Sequence, residues 1–377
     1  MDAFARRLLE WYDRHGRHDL PWQHLRSPYR VWVSEVMLQQ TQVATVLGYF
    51  ERFVAALPDL PALAAATEDQ VLALWSGLGY YRRARHLHAA AKTCVARHGG
   101  RLPRDFEALA ALPGIGRSTA GAILALSQGQ RHAIIDGNVK RVLCRVHGVG
   151  GWPGESPVTH ALWKHAETHT PETRLADYTQ AIMDLGATVC TRSRPDCERC
   201  PQRRGCVAYR QGSAEALPTP RPARRLPERQ STWIVLRDLR NRVLLERRPP
   251  QGVWPALWSL PEAANEDDAR LAIDHYADVD DRAGDALPAI RHQFTHFVLR
   301  ASPIEWRSVR TRSAVADGPG VRWCDVVELA GLGVPAPVRK LLLGLLEDSA
   351  DAGVADPSIA AAQPVPAAAV LQQGDQP

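Results

Sequence analysis

The sequence lacks any apolar run close to the roughly 20 residues that a membrane-spanning helix needs. Nothing resembling a secretory segment precedes residue 30, and no internal repeat is present. We therefore expect a protein without a membrane span, in a reducing, cytoplasmic compartment. At 377 residues, 45% of them hydrophobic, the chain can form two ordinary cores. A net charge of +5 gives only weak support for a polyanionic partner.

Cysteine is scarce outside one cluster. Three of the seven cysteines are isolated, which argues against a disulfide framework. The other four, in a Cys-x6-Cys-x2-Cys-x5-Cys run, are Cys190, Cys197, Cys200 and Cys206. This spacing predicts a thiolate site for one inorganic centre. Zinc and a 4Fe-4S cluster both accept four thiolates, but structural zinc usually uses two short Cys-x2-Cys pairs and only one is present here.

A proline-rich stretch without hydrophobic periodicity divides the chain. Upstream, over 1–209, helix-period segments dominate, and downstream, over 230–347, short β-rich pieces appear, including Trp233–Leu236, Val243–Leu245 and Phe294–Leu299. The fold class is therefore predicted as multidomain, an all-α domain followed by a smaller α/β domain, with a linker over 210–229. The composition of 348–377 predicts a disordered tail.

A glycine-rich turn at 112–116 lies between a short helical piece and the helix that contains Ser118. This Leu-Pro-Gly-Ile-Gly sequence is a helix-hairpin-helix signature, in which glycines let the backbone approach an anion and helix N-terminal amides point at it. The residues expected to hold one DNA phosphate are Leu112, Gly114 and Gly116. Arginines follow around the cysteines, where phosphates would be attracted, although a solvated linker has a similar composition.

The hairpin, the segment 134–141 with its aspartate, and the four cysteines together resemble the endonuclease III superfamily of DNA base-excision glycosylases. The segments 31–42 and 77–81 are similar to the A/G-specific adenine DNA glycosylase family. The resemblance runs from about residue 6 to 345. It implies a helix-hairpin-helix glycosylase domain with one 4Fe-4S cluster, held by the four cysteines, and a Nudix-like second domain.

The same resemblance implies an enzyme that hydrolyses the N-glycosidic bond of adenine mispaired with 8-oxoguanine or guanine. Bifunctional relatives have an attacking lysine after the hairpin, where this chain has Ser118. We therefore expect a monofunctional enzyme with little lyase activity. The alternatives are a bifunctional pyrimidine-lesion glycosylase/lyase and a catalytically silent lesion-binding or redox-sensing scaffold.

Two carboxyl residues, Glu35 and Asp136, are the expected catalytic pair. Glu35 lies about two turns into a helix that Ser27 and Pro28 would start, among apolar neighbours that should raise its pKa. A protonated Glu35 could deliver a proton to adenine N7, while ionised Asp136 stabilises the developing oxocarbenium ion. Asp136 is also a good helix N-cap, which would by itself explain an aspartate there.

The family pattern implies further contacts to the substrate. Gln40 and Tyr80 match residues that wedge into the duplex when adenine leaves the stack. Weaker candidates, each with an ordinary packing or capping alternative, are Arg17, Leu38 and Asn138.

The second domain resembles a Nudix module, but 252–273 lacks the Glu-rich metal box of a working Nudix hydrolase. We therefore expect it to bind and not hydrolyse. The segment 291–297 is similar to the family's 8-oxoguanine-reading loop, in which Thr295 replaces a frequent serine, and His296 is a further candidate. The expected partner is double-stranded DNA containing A:8-oxoguanine or A:G mispairs, bound by a monomer.

Overall fold

The computed structural model describes residues 1–222, 225–280, 283–312 and 320–352. Within them the chain forms a helical domain followed by a smaller domain built on a β-sheet, as predicted. No helix in the described part is long and apolar enough to cross a membrane. The last helix continues to Ala352, so the first five residues of the predicted tail are helical, and 353–377 lie outside the described residues.

The first domain consists of helices joined by short turns, with two 3-10 turns, Cys197–Arg199 and Arg203–Gly205. Local capping explains several boundaries: Ser27 caps α3 and Asp136 caps α10, and glycines with positive φ end α9 and α10. The helices are α1 Ala3–His15, α2 Pro21–His24, α3 Pro28–Leu38, α4 Val43–Ala56, α5 Leu60–Ala65, α6 Glu68–Trp75, α7 Arg82–Arg97, α8 Phe106–Ala110, α9 Arg117–Gln128, α10 Gly137–His147, α11 Ser156–His169, α12 Leu175–Thr188 and α13 Val207–Arg210.

The second domain is a mixed sheet in which two long strands, β1 and β8, run parallel and the other pairings are antiparallel. The main path is β3-β2-β1-β8-β5, with β4 on β1, β6 and β7 on β8, and β9 on β2. The strands are β1 Glu228–Asp238, β2 Val243–Arg247, β3 Trp258–Ser259, β4 Glu262–Ala263, β5 Ala277–Asp278, β6 Asp285–Ala286, β7 Ile290–Gln293, β8 Val298–Thr311 and β9 Val321–Cys324. Its helices are α14 Glu266–Tyr276, α15 Val326–Ala330 and α16 Ala336–Ala352.

Alternate residues of β1 point to opposite faces of this sheet, as strand geometry requires. Ile234 and Leu236 pack with Ile273 of α14, whereas Trp233 and Val235 belong to the apolar cluster that also contains the core of the helical domain. One face of the sheet therefore closes the second domain's own core, and the other joins the first domain.

One predicted strand is wrong. The segment predicted at Phe294–Leu299 is a turn over its first four residues, closed by a bond from the Phe294 N–H to the Phe297 carbonyl at 2.9 Å, and the strand begins only at Val298. Aromatic residues favoured a strand, but they are used here to pack the turn: the Phe294 and Phe297 rings stack with centroids 4.5 Å apart.

Candidate active site

A cleft of about 1060 Å³ opens in the helical domain between the C-terminal end of α3 and the N-terminal ends of α9 and α10. Both candidate catalytic carboxyls line it, Glu35 from α3 and Asp136 from the N-terminal end of α10. Of the residues predicted from the sequence, those that line this cleft are Arg17, Glu35, Leu38, Gln40, Ser118, Asp136 and Asn138.

Glu35 is half-buried in the last turn of α3. Its neighbours Trp32, Val36 and Met37 on the same helix are buried. Burial, reinforced by the negative charge of Asp136, raises the pKa of Glu35 to about 8. Among the described residues, no side chain or backbone group forms a hydrogen bond or ion pair with its carboxyl group. This carboxyl therefore tends to hold a proton near neutral pH.

Asp136 is the N-cap of α10. Its Oδ1 accepts the Val139 N–H at 2.7 Å, and Asn138 Nδ2 lies 3.4 Å from its Oδ2. Burial raises the pKa of Asp136, while the Val139 N–H, the positive charge of Arg141 and the Asn138 amide oppose that rise. The pKa of each carboxyl is thus raised, but only Asp136 has groups that stabilise its charged form, so Glu35 is the preferred proton carrier.

Ser118 occupies the second position of α9, and its hydroxyl oxygen accepts the Ile135 N–H at 3.0 Å. It therefore ties α9 to the backbone immediately before Asp136. An amine nucleophile is absent at this position, since serine has only a hydroxyl group.

Arg17 is committed to an ion pair. Its backbone N–H and guanidinium both donate to the fully buried carboxylate of Asp184, the latter at 2.5 Å. Gln180 also donates to that carboxylate at 2.8 Å. Arg17 and Leu38 both line the cleft. Because the Arg17 guanidinium is paired with Asp184 of α12, it holds the wall of the cleft against that helix.

Gln40 and Tyr80 are non-glycine residues with left-handed backbone, at φ 58° and 49°. Both side chains are exposed, Tyr80 by 49%, and both line a smaller cavity of about 230 Å³ beside the cleft. Non-glycine residues with positive φ are uncommon and concentrate at functional sites. Exposure and strained backbone together fit side chains that are presented to a partner.

The hairpin closes the other wall of this smaller cavity. Leu112 is buried and accepts the Ile115 N–H, whereas Gly114 has φ +77° and a Cβ there would lie 2.7 Å from the His86 Cβ. Gly116 is the N-cap of α9 and leaves the first amides of that helix without a side-chain cap. The turn therefore leaves the first amides of α9 available, and phosphate binding by this hairpin stays a prediction.

The four cysteine thiols line one small apolar pocket beside α10 and α12, and none is in a disulfide. Within the described ranges, no three His, Cys, Asp or Glu side chains are close enough to share a single metal ion. The four thiols around one apolar pocket nevertheless supply the donor set that an inorganic centre held by thiolates needs. The residues present therefore fit the predicted cluster.

Two arginines that sequence reasoning left without a role link this pocket to the cleft. Arg141 donates to the Cys190 carbonyl at 2.7 Å and to Asn138 Oδ1 at 2.8 Å. Arg145, fully buried, donates to Cys190 Sγ at 3.3 Å and to the linker carbonyl of Leu217 at 2.8 Å. Arg141 and Arg145 are four residues apart in α10, so they lie on the same face of the helix, which is the face toward the cysteines. This spacing is the only sequence signal that could have identified them.

Thr295 and His296 lie at the tip of the turn between β7 and β8, outside the cleft. Both are exposed, and Thr295 Oγ1 is 3.3 Å from His296 Nδ1. The turn is supported from beneath by Phe294, which contacts Trp254, His292 and Phe297. It therefore presents a hydroxyl group and an imidazole on a packed aromatic base.

The chain has two matches to family models: residues 33–168 match the HhH-GPD superfamily of base excision DNA repair proteins, and residues 232–344 match the NUDIX domain. It is 34% identical over 339 residues to the adenine DNA glycosylase of Buchnera aphidicola subsp. Acyrthosiphon pisum, covering 90% of this chain and 96% of that protein. It is 35% identical over 400 residues to the adenine DNA glycosylase of Homo sapiens, covering 90% and 73%. A solved thermostable thymine-DNA glycosylase is 28% identical with a TM-score of 0.49, covering 55% of this chain and 95% of that structure.

Proposed function

This chain belongs to the adenine DNA glycosylase family, and we propose that it excises adenine mispaired with 8-oxoguanine or guanine in double-stranded DNA, without efficient strand cleavage. The observation that carries the proposal is the pairing, in one cleft, of a carboxyl without hydrogen-bond partners among the described residues, whose pKa is raised, with one whose charged form is supported by the Val139 N–H and Arg141. Ser118 supports the monofunctional part, since it offers no amine.

The two carboxyls divide the chemistry. Glu35 donates its proton to adenine N7, which makes the base a better leaving group as the C1′–N9 bond breaks. Asp136 stabilises the positive charge that develops at C1′, and its charge is supported by the Val139 N–H and by Arg141. Water then adds to C1′ and gives up a proton, which returns the Glu35 carboxylate to its protonated form and leaves an abasic site and free adenine.

Adenine must leave the base stack before it can reach the cleft. Gln40 and Tyr80 support this step, because they are exposed on adjoining loops that line the smaller cavity beside the cleft. An amide can bond to base edges, and a phenol ring can stack on a base. We propose that they fill the vacated position and contact the opposite base.

The opposite base is read by the second domain in this proposal. The turn that carries Thr295 and His296 offers a hydroxyl group and an imidazole to an oxidised guanine. A Nudix-type hydrolysis is not proposed, because no Glu-rich metal box follows β3.

We propose that Cys190, Cys197, Cys200 and Cys206 hold one 4Fe-4S cluster with a structural role. When bound, the cluster would fix the loop 190–206, which carries the exposed arginines Arg192, Arg194 and Arg204. These three form no ion pair with any described residue, so they are free to contact phosphates. A monomer acting on bacterial chromosomal DNA in the cytoplasm stays a prediction.

The test is single-turnover incubation with duplexes that differ only in the base opposite one adenine, 8-oxoguanine, guanine or thymine, followed by alkali. The expected result is alkali-dependent cleavage at the adenine, fastest opposite 8-oxoguanine and absent opposite thymine. Cleavage without alkali, together with a covalent adduct trapped by borohydride, would support the bifunctional lyase instead. Binding of the lesion duplex without any cleavage would support the silent scaffold.

A further inference from the structure

The loop 77–81, which carries Tyr80, is attached to the second domain through the buried side chain of Tyr81. The Tyr81 hydroxyl accepts the Gly77 N–H at 3.4 Å and donates to the Val334 carbonyl at 3.0 Å. Tyr81 is only 6% exposed, although its neighbour Tyr80 is 49% exposed. One hydroxyl group therefore connects the start of the Tyr80 loop to the other domain.

The Val334 carbonyl is a fixed point of that other domain. Ser76, at the end of α6, donates a second hydrogen bond to it at 3.3 Å. The preceding Gly333 carbonyl accepts the Trp258 N–H of β3 at 2.9 Å. A Cβ on Gly333 would lie 2.7 Å from the Leu72 Cβ, so the backbone passes directly against α6.

The same sheet carries the turn proposed to read the opposite base. β3 continues through β2 and β1 to β8, and β8 begins at Val298, just after Thr295 and His296. Since one hydrogen-bonded sheet connects them, a shift of this turn relative to the helical domain would also displace the backbone at Gly333 and Val334.

The Tyr80 loop is held firmly on its other side. The Arg83 guanidinium donates to the Leu78 and Gly79 carbonyls, each at 3.3 Å, and Trp75 Nε1 donates to the Gly79 carbonyl at 3.2 Å. Arg83 also bonds to the end of α3 and to the Gln40 loop. The acceptors there are Val36 O, Met37 O, Gln39 O and Thr41 Oγ1. With one side fixed, the position of Tyr80 depends on the other side, where Tyr81 meets Val334.

We propose that Tyr81 is a positioning residue that couples docking of the second domain to the placement of Tyr80, and thereby sets the preference for 8-oxoguanine over guanine opposite adenine. The inference rests on the proposed function, because it concerns the selectivity of that activity. Tyr81 itself lies outside the cleft and acts through the backbone of its neighbour.

The test compares Tyr81→Phe with Tyr29→Phe in the full-length, cluster-loaded protein. Tyr29 is a matched control: it is 8% exposed, and its hydroxyl donates to the Leu57 carbonyl at 2.6 Å, away from both the cleft and the second domain. The measurement is the ratio of single-turnover excision rates on A:8-oxoguanine and A:G duplexes. Binding of duplexes in which an uncleavable adenine analogue faces each base is measured in parallel.

Tyr81→Phe is expected to lower the 8-oxoguanine-to-guanine ratio roughly fivefold, the value of one ordinary hydrogen bond, while Tyr29→Phe leaves it unchanged. Ser76→Ala, which removes the second donor to Val334, should lower the ratio in the same direction and covers the case in which Tyr81→Phe folds poorly. An unchanged ratio in both Tyr81→Phe and Ser76→Ala, or an equal fall in Tyr29→Phe, overturns the inference. Wild-type protein that excises adenine from neither duplex overturns the proposed function itself.

Discussion

Glu35 makes the free energy of unfolding depend on pH, because its carboxyl group is ionised in the unfolded chain at neutral pH but protonated in the folded protein. Its folded pKa of about 8 is higher than the ordinary value of 4.5, so its protonated form is preferred in the folded protein. The corresponding stability is fully present below about pH 4.5 and is lost as the pH rises through about 8. At pH 7 the cost is on the order of 3 kcal/mol.

Glu35→Gln should therefore separate stability from activity. The neutral amide avoids the cost of ionisation, so we expect the free energy of unfolding at pH 7 to rise by up to about 3 kcal/mol while excision is lost and mismatch binding remains. Denaturant unfolding, a gel-shift assay and single-turnover kinetics measure the three quantities. Glu51→Gln, at an exposed position of α4, should change none of them. Near-normal turnover by Glu35→Gln would remove Glu35 from the mechanism.

The pH dependence of excision follows from the same group. Since protonated Glu35 and ionised Asp136 are the active forms, the single-turnover rate should fall by roughly tenfold per pH unit above about pH 8, and should fall again at acidic pH as Asp136, whose pKa is also raised, takes up a proton. The profile is measured under single-turnover conditions, so that product release does not mask the chemical step. A rate that increases as the pH rises through 8 would contradict the assignment.

Asp136 has two roles that substitution can separate. Asparagine caps a helix about as well as aspartate, so Asp136→Asn should keep the bond to the Val139 N–H and leave stability nearly unchanged while excision is lost. Asp136→Ala should lose excision and also about 1 kcal/mol of stability. Thermal unfolding and excision assays on the pair measure both effects. If Asp136→Asn keeps its excision activity, Asp136 has only the helix-capping role and no catalytic one.

At the level of elements, the ends of α3 and α6 are held together by one side chain. The Arg83 guanidinium bonds to the Met37 carbonyl in the last turn of α3 and to the Leu78 carbonyl after α6, and burial lowers its pKa to about 10 without removing its charge near neutrality. Lysine has three donors on one nitrogen and cannot reach both loops as the planar guanidinium does.

Arg83→Lys should therefore loosen Gln40 and Tyr80 together. We expect excision to slow by about tenfold or more and stability to fall by roughly 2 kcal/mol, since several buried carbonyls lose their donor. The neighbouring Arg82 is exposed, and among the described residues its guanidinium hydrogen-bonds to His86 and to neither loop, so Arg82→Lys is the control and should have little effect. Equal behaviour of the two variants would mean that Arg83 holds neither loop.

Features of the fold that depend only on residues close together in the chain, such as helix starts, can be predicted from the sequence. Ser27 and Pro28 correctly indicate the start of α3. The segment 294–297 shows the limit, because its aromatic residues suit a strand and a packed turn equally, and only contact with Trp254 decides between them.

Long-range contacts are the part that the sequence does not predict. Arg83 lies 46 residues from Met37, and nothing around either residue indicates their hydrogen bond. Gly186 is similar: a Cβ there would lie 2.6 Å from the Asn138 Cβ, so α12 approaches the Asp136 helix closely only because the residue is glycine. Such roles require the packed arrangement of helices.

At the scale of the whole molecule, the two domains share one apolar cluster that runs from the helical core through Leu72 to Leu257 and Val334. Ion pairs from Arg247 to Glu68 and Asp69 flank the contact at 3.6 and 3.1 Å, but partly exposed pairs of this kind contribute little. Apolar packing therefore provides most of the docking energy, and we expect the domains to unfold together.

Gly333 is the point at which this docking can be disturbed with one methyl group. A Cβ there would lie 2.7 Å from the Leu72 Cβ and 3.1 Å from Leu257 Cδ2, so Gly333→Ala forces the sheet away from α6 at a cost of about 1–3 kcal/mol. Calorimetry should then show two unfolding transitions in place of one, and the preference for 8-oxoguanine should fall with the docking. Gly48→Ala is the control: a Cβ at Gly48, inside α4, has no neighbour within 4 Å, and the change should stabilise the helix by about 0.5–1 kcal/mol. A single transition with unchanged preference in Gly333→Ala would show that the contact does not hold the second domain in its working position.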